Sequence, residues 1–169
     1  PYTPVNFKEL LVSPNDMRKR LIALINKEIK NKEQGKDAYI LAKVNHITDR
    51  ALIEKLYEAS AAGVKIELVV RGNCSLVPGV PGVSENIHIN GIIDRYLEHS
   101  RIFIFANAGE ERYYIGSADW MPRNLDNRIE VLAPVYDKEI QADLKRIVCY
   151  GFQDTAKGRI VDGMGTNRI

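Results

Sequence analysis

The sequence predicts an α/β fold in which helices cover both faces of one mixed β-sheet. The first observation behind this prediction is a strand–helix–strand unit over residues 38–44, 50–62 and 65–70, which makes the two strands parallel neighbours. The second is a pair of further amphipathic helices, at residues 14–33 and 137–150, which can pack on the sheet. Together they favour a sandwich of helix, sheet and helix layers.

The chain begins with a segment that prolines interrupt, so residues 1–13 are predicted to be an irregular lead-in. The first helix is expected to start at Pro14, with Ser13 in the N-cap position, and to end before Gly35. Residues 14–169 are predicted to form one domain, because a chain of 169 residues suffices for one core and is too short for two.

The strand–helix–strand unit has clear boundaries in the sequence. Asp49 is placed to cap the helix over residues 50–62, and Gly63 ends it. Residues 72–82, with two prolines, are predicted to be a loop. Shorter strands are predicted beyond this loop, at residues 87–90, 101–105, 112–116 and 128–134.

Composition excludes several classes of protein. With 45% hydrophobic and 27% charged residues, the chain is neither disordered nor a membrane protein. A net charge of only +2 gives little support for nonspecific nucleic-acid binding. Cys74 and Cys149 are expected to be reduced thiols, and the three scattered histidines do not form a metal site. Since the first residue is not Met and no signal peptide is visible, we expect a piece of a longer protein.

The distribution of arginine is the first indication of function. Between Lys65 and Lys138 the chain has six arginines and no lysine. A guanidinium group holds phosphate oxygens through a rigid fork and stays charged when partly buried. These arginines are therefore interpreted as a phosphate-binding set. The alternative for any one of them is an ion pair with an acidic neighbour such as Glu67 or Asp126.

The predicted sheet places several of these side chains at one edge. Arg71 directly follows the strand over residues 65–70, and Lys43 and Asn45 end the preceding parallel strand. Open α/β sheets bind ligands at the carboxyl ends of their strands. The three side chains are therefore expected to converge on a phosphate site, even though residues 72–82 lack the order of a P-loop.

His99 is the candidate for chemistry. His99-x-Arg101 opens a predicted strand, and Gly116-Ser117-Ala118-Asp119 closes its partner, so imidazole, guanidinium, hydroxyl and carboxylate groups are expected at the same end. A histidine beside phosphate-binding arginines can act as a nucleophile or as a general acid. The alternative is a structural histidine. Of the other two, His46 is expected to neighbour this edge and His88 to face solvent.

These residues resemble a known signature. His99-x-Arg101 followed by Gly116-Ser117-Ala118-Asp119 is similar to the HxK…GSxN pattern of the phospholipase D superfamily, with Arg for Lys, Asp for Asn, and Ala106 where that superfamily has an acidic residue. Three longer blocks, at 56–87, 95–105 and 114–135, resemble the bacterial polyphosphate kinase family that makes long chains from ATP. The resemblance extends over nearly all of residues 10–160.

The resemblance implies a phospholipase D-like domain, the second of two catalytic domains, with the phosphorylated histidine in the first. It implies that the whole enzyme transfers the terminal phosphoryl group of ATP to that histidine and then, reversibly, to polyphosphate. By position, His99 is then the essential second histidine and Arg71 binds the nucleotide phosphates. Arg101 and Arg123 are expected to line the polyphosphate path. The remaining predicted phosphate-site residues are Lys43, Asn45, Ser117 and Asp119.

The resemblance also implies partners and location. ATP, ADP and polyphosphate are the expected ligands, and the magnesium ligands are expected in the missing domain, with none in this chain. The whole enzyme is expected to be a cytoplasmic homo-oligomer without a transmembrane segment, with peripheral membrane association left open. Two alternatives remain: a phospholipase D-like phosphodiesterase, which would need a second HxK unit, and a noncatalytic module that binds polyphosphate or nucleic acid.

Overall fold

A computed structural model of the chain describes residues 7–93, 99–154, 157–166 and 168. The strands are β1 (Leu11–Ser13), β2 (Tyr39–Val44), β3 (Lys65–Val70), β4 (Ile87–Ile92), β5 (Ile102–Phe105), β6 (Arg112–Gly116), β7 (Glu130–Val135) and β8 (Gly158–Val161). The helices are α1 (Met17–Glu33), α2 (Arg50–Ala61), α3 (Pro122–Asp126) and α4 (Lys138–Gln153), with a short 3-10 turn at Asn107–Gly109.

The strands form one mixed sheet in the order β1-β7-β6-β5-β2-β3-β4-β8. The neighbours β2, β3 and β4 run parallel, and the other pairings are antiparallel. The register runs from Tyr39 opposite Lys65 to Val44 opposite Val70, which confirms the predicted strand–helix–strand unit.

Helices cover both faces of the sheet. Leu21 of α1 and Leu56 of α2 are fully buried in the larger core, together with Leu68 from the sheet. On the opposite face, Val148 of α4 packs in a smaller core with Ile104. The predicted sandwich is therefore confirmed, and burial of these apolar faces holds its layers together.

The start of the chain differs from the prediction. The irregular lead-in ends before residue 13, because Leu11–Ser13 is a strand that pairs with β7 at the edge of the sheet. Ser13 does not cap α1: its hydroxyl donates to the Arg128 carbonyl at 2.8 Å and accepts from the Glu130 N–H at 3.0 Å. Because β1 pairs with β7, the Ser13 hydroxyl bonds to the chain around β7 and is not available to cap the helix. Helix α1 therefore begins later than predicted, at Met17.

The helices and strands in the middle of the chain lie close to the predicted positions. In the last third of the chain, two short elements were not predicted and one helix is longer than predicted. Asp49 caps α2 by accepting from the Leu52 N–H at 3.0 Å. The sequence analysis missed α3 and β8, which have only five and four residues and therefore no readable periodicity. It also ended the last helix at residue 150, three residues before Gln153.

The topology creates the edge at which the candidate residues lie. The carboxyl ends of β2, β3 and β4 meet the amino ends of the antiparallel strands β5 and β8. The carboxyl end of β6 lies beside the start of β5. We call this side of the sheet the carboxyl edge. None of the helices in the described ranges is long and apolar enough to cross a bilayer, and both cysteines are free thiols.

Candidate active site

A buried tryptophan fixes the loop that follows β6. Trp120 is inaccessible to solvent and stacks on Phe103 of β5, with ring centroids 5.3 Å apart. The backbone N–H of Trp120 donates to the His46 carbonyl at 3.1 Å, and the Trp120 carbonyl accepts from the Thr48 N–H at 2.8 Å. These contacts hold the preceding residue, Asp119, against the carboxyl end of β2.

Asp119 is the centre of a buried hydrogen-bonded group. Its carboxylate accepts from Arg101 Nε and Nη2, each at 3.0 Å, and from the Asn45 backbone N–H at 2.8 Å. Burial raises the pKa of this carboxyl group, but the hydrogen bonds from Arg101 and Asn45 outweigh burial and leave the pKa below its ordinary value. Asp119 is therefore ionised at neutral pH and neutralises Arg101.

Arg101 in turn holds His99. Its Nη2 lies 3.2 Å from His99 Nε2, and its Nη1 donates to the His99 carbonyl at 3.3 Å. Because a guanidinium group can only donate, Nε2 is the acceptor, and the neutral imidazole then carries its proton on Nδ1. His99 is exposed. Its ring therefore faces solvent while one ring nitrogen contacts Arg101, which belongs to a buried ion pair.

The other predicted members are distributed around this group. Lys43 is buried on β2 and donates to the Ser100 hydroxyl at 2.9 Å. Ser117 is exposed, and its hydroxyl accepts from the Val131 N–H at 3.3 Å. Arg123 is exposed on α3, and no hydrogen bond within the described ranges joins it to Arg101 or Asp119.

The structure separates contact residues from supporting ones. Asn45 and Asp119 are each 3% exposed and hydrogen-bonded to each other, and the Arg101 fork is occupied. These three side chains therefore have a supporting position, and their direct contact with phosphate stays a prediction. Ser100 was missed, because only the pairing of β2 with β5 brings it to Lys43.

Arg71 lies two strands away from Arg101 on the carboxyl edge, which corresponds to about 10 Å at ordinary strand spacing. Its N–H donates to the Val44 carbonyl at 3.2 Å. Its side chain is half-buried and has no ion pair or hydrogen bond with any residue that the structure describes. It lines a cavity of about 500 Å³, to which Lys157 and Arg159 also contribute. The sequence analysis missed these two residues along with β8.

The remaining histidines have structural or peripheral positions. The Nδ1 atom of His46 accepts from the Asn73 N–H at 2.9 Å, and its ring packs on Gly72, where an added Cβ would lie 2.4 Å from the ring. His88 is exposed on β4, as predicted. Ala106 is fully buried beyond the far end of β5, so the acidic position of the phospholipase D signature lies at the opposite edge of the sheet from His99.

The carboxyl edge therefore combines an exposed imidazole, a neutralised arginine that orients it, and a half-buried arginine without a partner among the described residues. Such a surface suits anionic oxygens beside a group that can exchange a proton.

The fold defines the class. A phospholipase D family member, Nuc from Salmonella typhimurium, matches 92% of this chain and 97% of its own chain, with a TM-score of 0.64 and 12% identity. At that identity the match shows the fold alone, which is therefore phospholipase D-like.

The family is narrower than the fold. Residues 10–169 match the family model described as polyphosphate kinase C-terminal domain 2, and the chain belongs to this family. A polyphosphate kinase from Vibrio vulnificus is 51% identical over 96% of this chain and 23% of its own length. The crystal structure of polyphosphate kinase from Porphyromonas gingivalis has a TM-score of 0.93 and 43% identity, over 99% of this chain and 26% of that one. The chain thus spans about a quarter of these relatives.

Proposed function

We propose that this chain is the second phospholipase D-like catalytic domain of a polyphosphate kinase. The whole enzyme transfers the terminal phosphoryl group of ATP to a histidine in another domain, releasing ADP, and then passes it to the end of a polyphosphate chain. The observation that carries this proposal is the carboxyl edge, where exposed His99 lies about two strand spacings from Arg71, which has no partner in the described ranges. The chain is also 51% identical to a polyphosphate kinase.

The proposed roles follow from charge and exposure. Phosphoryl transfer depends on positioning the reactants and on neutralising the charge spread over the phosphoryl oxygens. Arg71, with its fork free, holds the nucleotide phosphates, and exposed Arg123 lines the polyphosphate path. His99 faces the phosphohistidine of the other domain and offers Nδ1–H as a donor to a phosphoryl or leaving-group oxygen.

Arg101 and Asp119 act through His99. The bond from Arg101 fixes one ring nitrogen, as a carboxylate does for the histidine of a catalytic triad, but with a donor in place of an acceptor. Asp119 keeps the guanidinium in place and cancels its charge. Both are therefore positioning residues, and their effect on catalysis is expected to depend on the orientation of the imidazole.

Magnesium does not fit the described residues of this chain. No group of three histidine, cysteine, aspartate or glutamate residues within the described ranges is placed to hold a metal ion. The carboxylate at the site, Asp119, already accepts from Arg101 and Asn45. We propose that magnesium is bound by the remaining domains or arrives with ATP, and we assign it no ligand here.

The same proposal covers partners and location. The ligands are ATP, ADP and polyphosphate, and the other domains of the same polypeptide complete the catalytic centre. The whole enzyme is proposed to work as a homo-oligomer in the cytoplasm.

Labelling with γ-labelled ATP tests the division of roles. We expect the full-length enzyme to take up acid-labile label, and the 169-residue chain alone to take up none and to make no polyphosphate, because the phosphorylated histidine lies in another domain. Acid-labile label on His99 in the isolated chain would overturn this assignment. Turnover of a chromogenic phosphodiester by the chain would instead support the phosphodiesterase alternative.

The Arg71→Lys variant tests whether phosphate is bound by geometry or by charge. Lysine keeps the charge but loses the fork, so we expect ATP to bind the full-length enzyme about tenfold more weakly or worse, since one charge-assisted hydrogen bond contributes roughly 1.5–3 kcal/mol. Binding is measured at two salt concentrations beside Arg71→Ala, with Arg146→Lys on α4 as the exposed control. Equal affinity in wild type and Arg71→Lys would show that charge alone suffices.

A further inference from the structure

We propose that the cavity between Arg71 and Arg159 binds a chain of phosphoryl groups, with Arg159 as a second phosphate-binding residue. This inference rests on the proposed function for the nature of the ligand, and on the packing of β3, β4 and β8 for the site. The shared chemistry is a linear phosphate chain, supplied either by the nucleotide tail or by polyphosphate.

The sheet aligns the cavity with the carboxyl edge. Val70 of β3 lies directly opposite Gly91 of β4, and Gly91 lies directly opposite Arg159 of β8. The three positions therefore form one row across three adjacent strands. At ordinary strand spacing, the backbone of Arg159 lies about 10 Å from β3, the strand that directly precedes Arg71.

Glycine at position 91 keeps this row open. An added Cβ would lie 3.4 Å from Val161 Cγ2 and 3.8 Å from the Val70 carbonyl oxygen, in ordinary contact with both. A larger side chain at this position would therefore fill the space between the two arginines. Val70, Val161 and Cys74 also line the cavity.

The charges around the cavity have one sign. Arg71, Lys157 and Arg159 line it, and none of its described lining residues is acidic. The Arg159 side chain is part-buried, and its one hydrogen bond to a described residue is from Nη1 to the neighbouring carbonyl of Gly158 at 3.2 Å. Arg71 has no partner among the described residues. Lys157 takes part in other interactions, so the proposed phosphate ligands are Arg71 and Arg159 alone.

Within the described residues, these two half-buried guanidinium groups have lost hydration and gained no carboxylate that compensates their charge. A bound anion supplies that charge, and the planar fork favours phosphate oxygens. The two arginines follow or lie on strands two spacings apart, so each fork can bind a different phosphoryl group of one linear chain. The proposed function supplies such a ligand, and we therefore assign the cavity a phosphate chain.

Binding of tripolyphosphate, ATP and adenosine to the 169-residue chain tests the proposal. We expect Arg159→Gln to weaken tripolyphosphate binding at least fivefold, with adenosine binding unchanged. The matched control is Arg146→Gln, an exposed arginine of α4 paired with Asp143, which should bind like wild type. Gly91→Val is the second variant: it changes no charge, fills the row, and should cause a similar loss. Far-UV circular dichroism and the thermal midpoint verify that each variant is folded.

The two sources of the phosphate chain give different patterns. If polyphosphate occupies the cavity, Arg159→Gln weakens tripolyphosphate binding and leaves ATP binding intact. If the nucleotide tail occupies it, both ligands lose affinity together. Either pattern supports the site.

Cys74 provides an independent measurement, because it lines the cavity whereas Cys149 lies on α4. Tripolyphosphate should slow alkylation of Cys74 by iodoacetamide, leave Cys149 unaffected, and lose this protection in Arg159→Gln.

The proposal is overturned if wild type does not bind tripolyphosphate, or if Arg159→Gln and wild type bind it equally. The proposed function has a separate test, the uptake of acid-labile label from γ-labelled ATP by the wild-type full-length enzyme, which uses no Arg159 variant. Failure of one is therefore distinguishable from failure of the other.

Discussion

Replacing His99 with alanine is expected to abolish net polyphosphate synthesis by the full-length enzyme and to leave its thermal midpoint nearly unchanged. The ring is exposed, and its hydrogen bond is to Arg101, which keeps its stronger bonds to Asp119. Loss of the imidazole therefore removes a proton donor without opening a cavity in the core. Synthesis from ATP and the thermal midpoint are measured on the same preparation.

The control for this experiment is His88→Ala. His88 is also exposed, but it is the second residue of β4, opposite Glu67 of β3. It therefore lies away from the carboxyl edge. We expect His88→Ala to retain synthesis. Retained synthesis in His99→Ala would refute the functional assignment, whereas a stability loss of roughly 2 kcal/mol or more would show that His99 is structural.

The parts of the fold that were predictable are those in which local pattern and tertiary packing agree. The apolar strands 38–44 and 65–70, the helix between them and its Asp49 cap all form as predicted, because each carries its own signal. The edge strands β1 and β8 do not. They are three and four residues long, and pairing with β7 and β4 makes them strands.

The sequence predicted at which edge of the sheet the candidate residues lie, but it did not predict the contacts between their side chains. Parallel pairing of β2 and β3 was enough to place Lys43, Asn45 and Arg71 at the carboxyl ends of adjacent strands. Their convergence on one phosphate site stays a prediction. The sequence did not show which acidic residue pairs with which arginine. Asp126, one of the acidic residues considered, pairs with Arg18. Arg101 pairs with Asp119 because the β5–β6 hairpin places these two residues side by side.

Two of the three departures from the phospholipase D signature, at Arg101 and Asp119, are physically coupled. Arginine in place of lysine and aspartate in place of asparagine together convert a cation beside a neutral amide into a closed ion pair. The charge that the signature offers to a phosphodiester is thereby cancelled at Arg101. Further along the edge, Arg71 has no ion pair with a described residue, and its positive charge suits the long polyanion that we propose as ligand.

The Asp119→Ala variant is expected to lower the free energy of unfolding by about 3–5 kcal/mol, the usual cost of leaving one member of a buried ion pair unpaired. The Asp119 and Arg101 side chains are only 4% and 12% exposed, so water cannot readily replace the lost carboxylate. Urea unfolding of the 169-residue chain measures this loss. The matched control is Asp143→Ala, which breaks an aspartate–arginine pair that is mostly exposed on α4 and should cost less than about 1 kcal/mol.

A double variant separates the ion pair from the packing around it. In Arg101→Met/Asp119→Ala no unpaired charge stays buried, so the double variant should be more stable than Asp119→Ala alone, although it lacks one more native side chain. Synthesis should be lost in both, since neither holds His99 in place. If Asp119→Ala costs no more than Asp143→Ala, the pair does not stabilise the carboxyl edge, and the orientation of His99 must depend on other contacts.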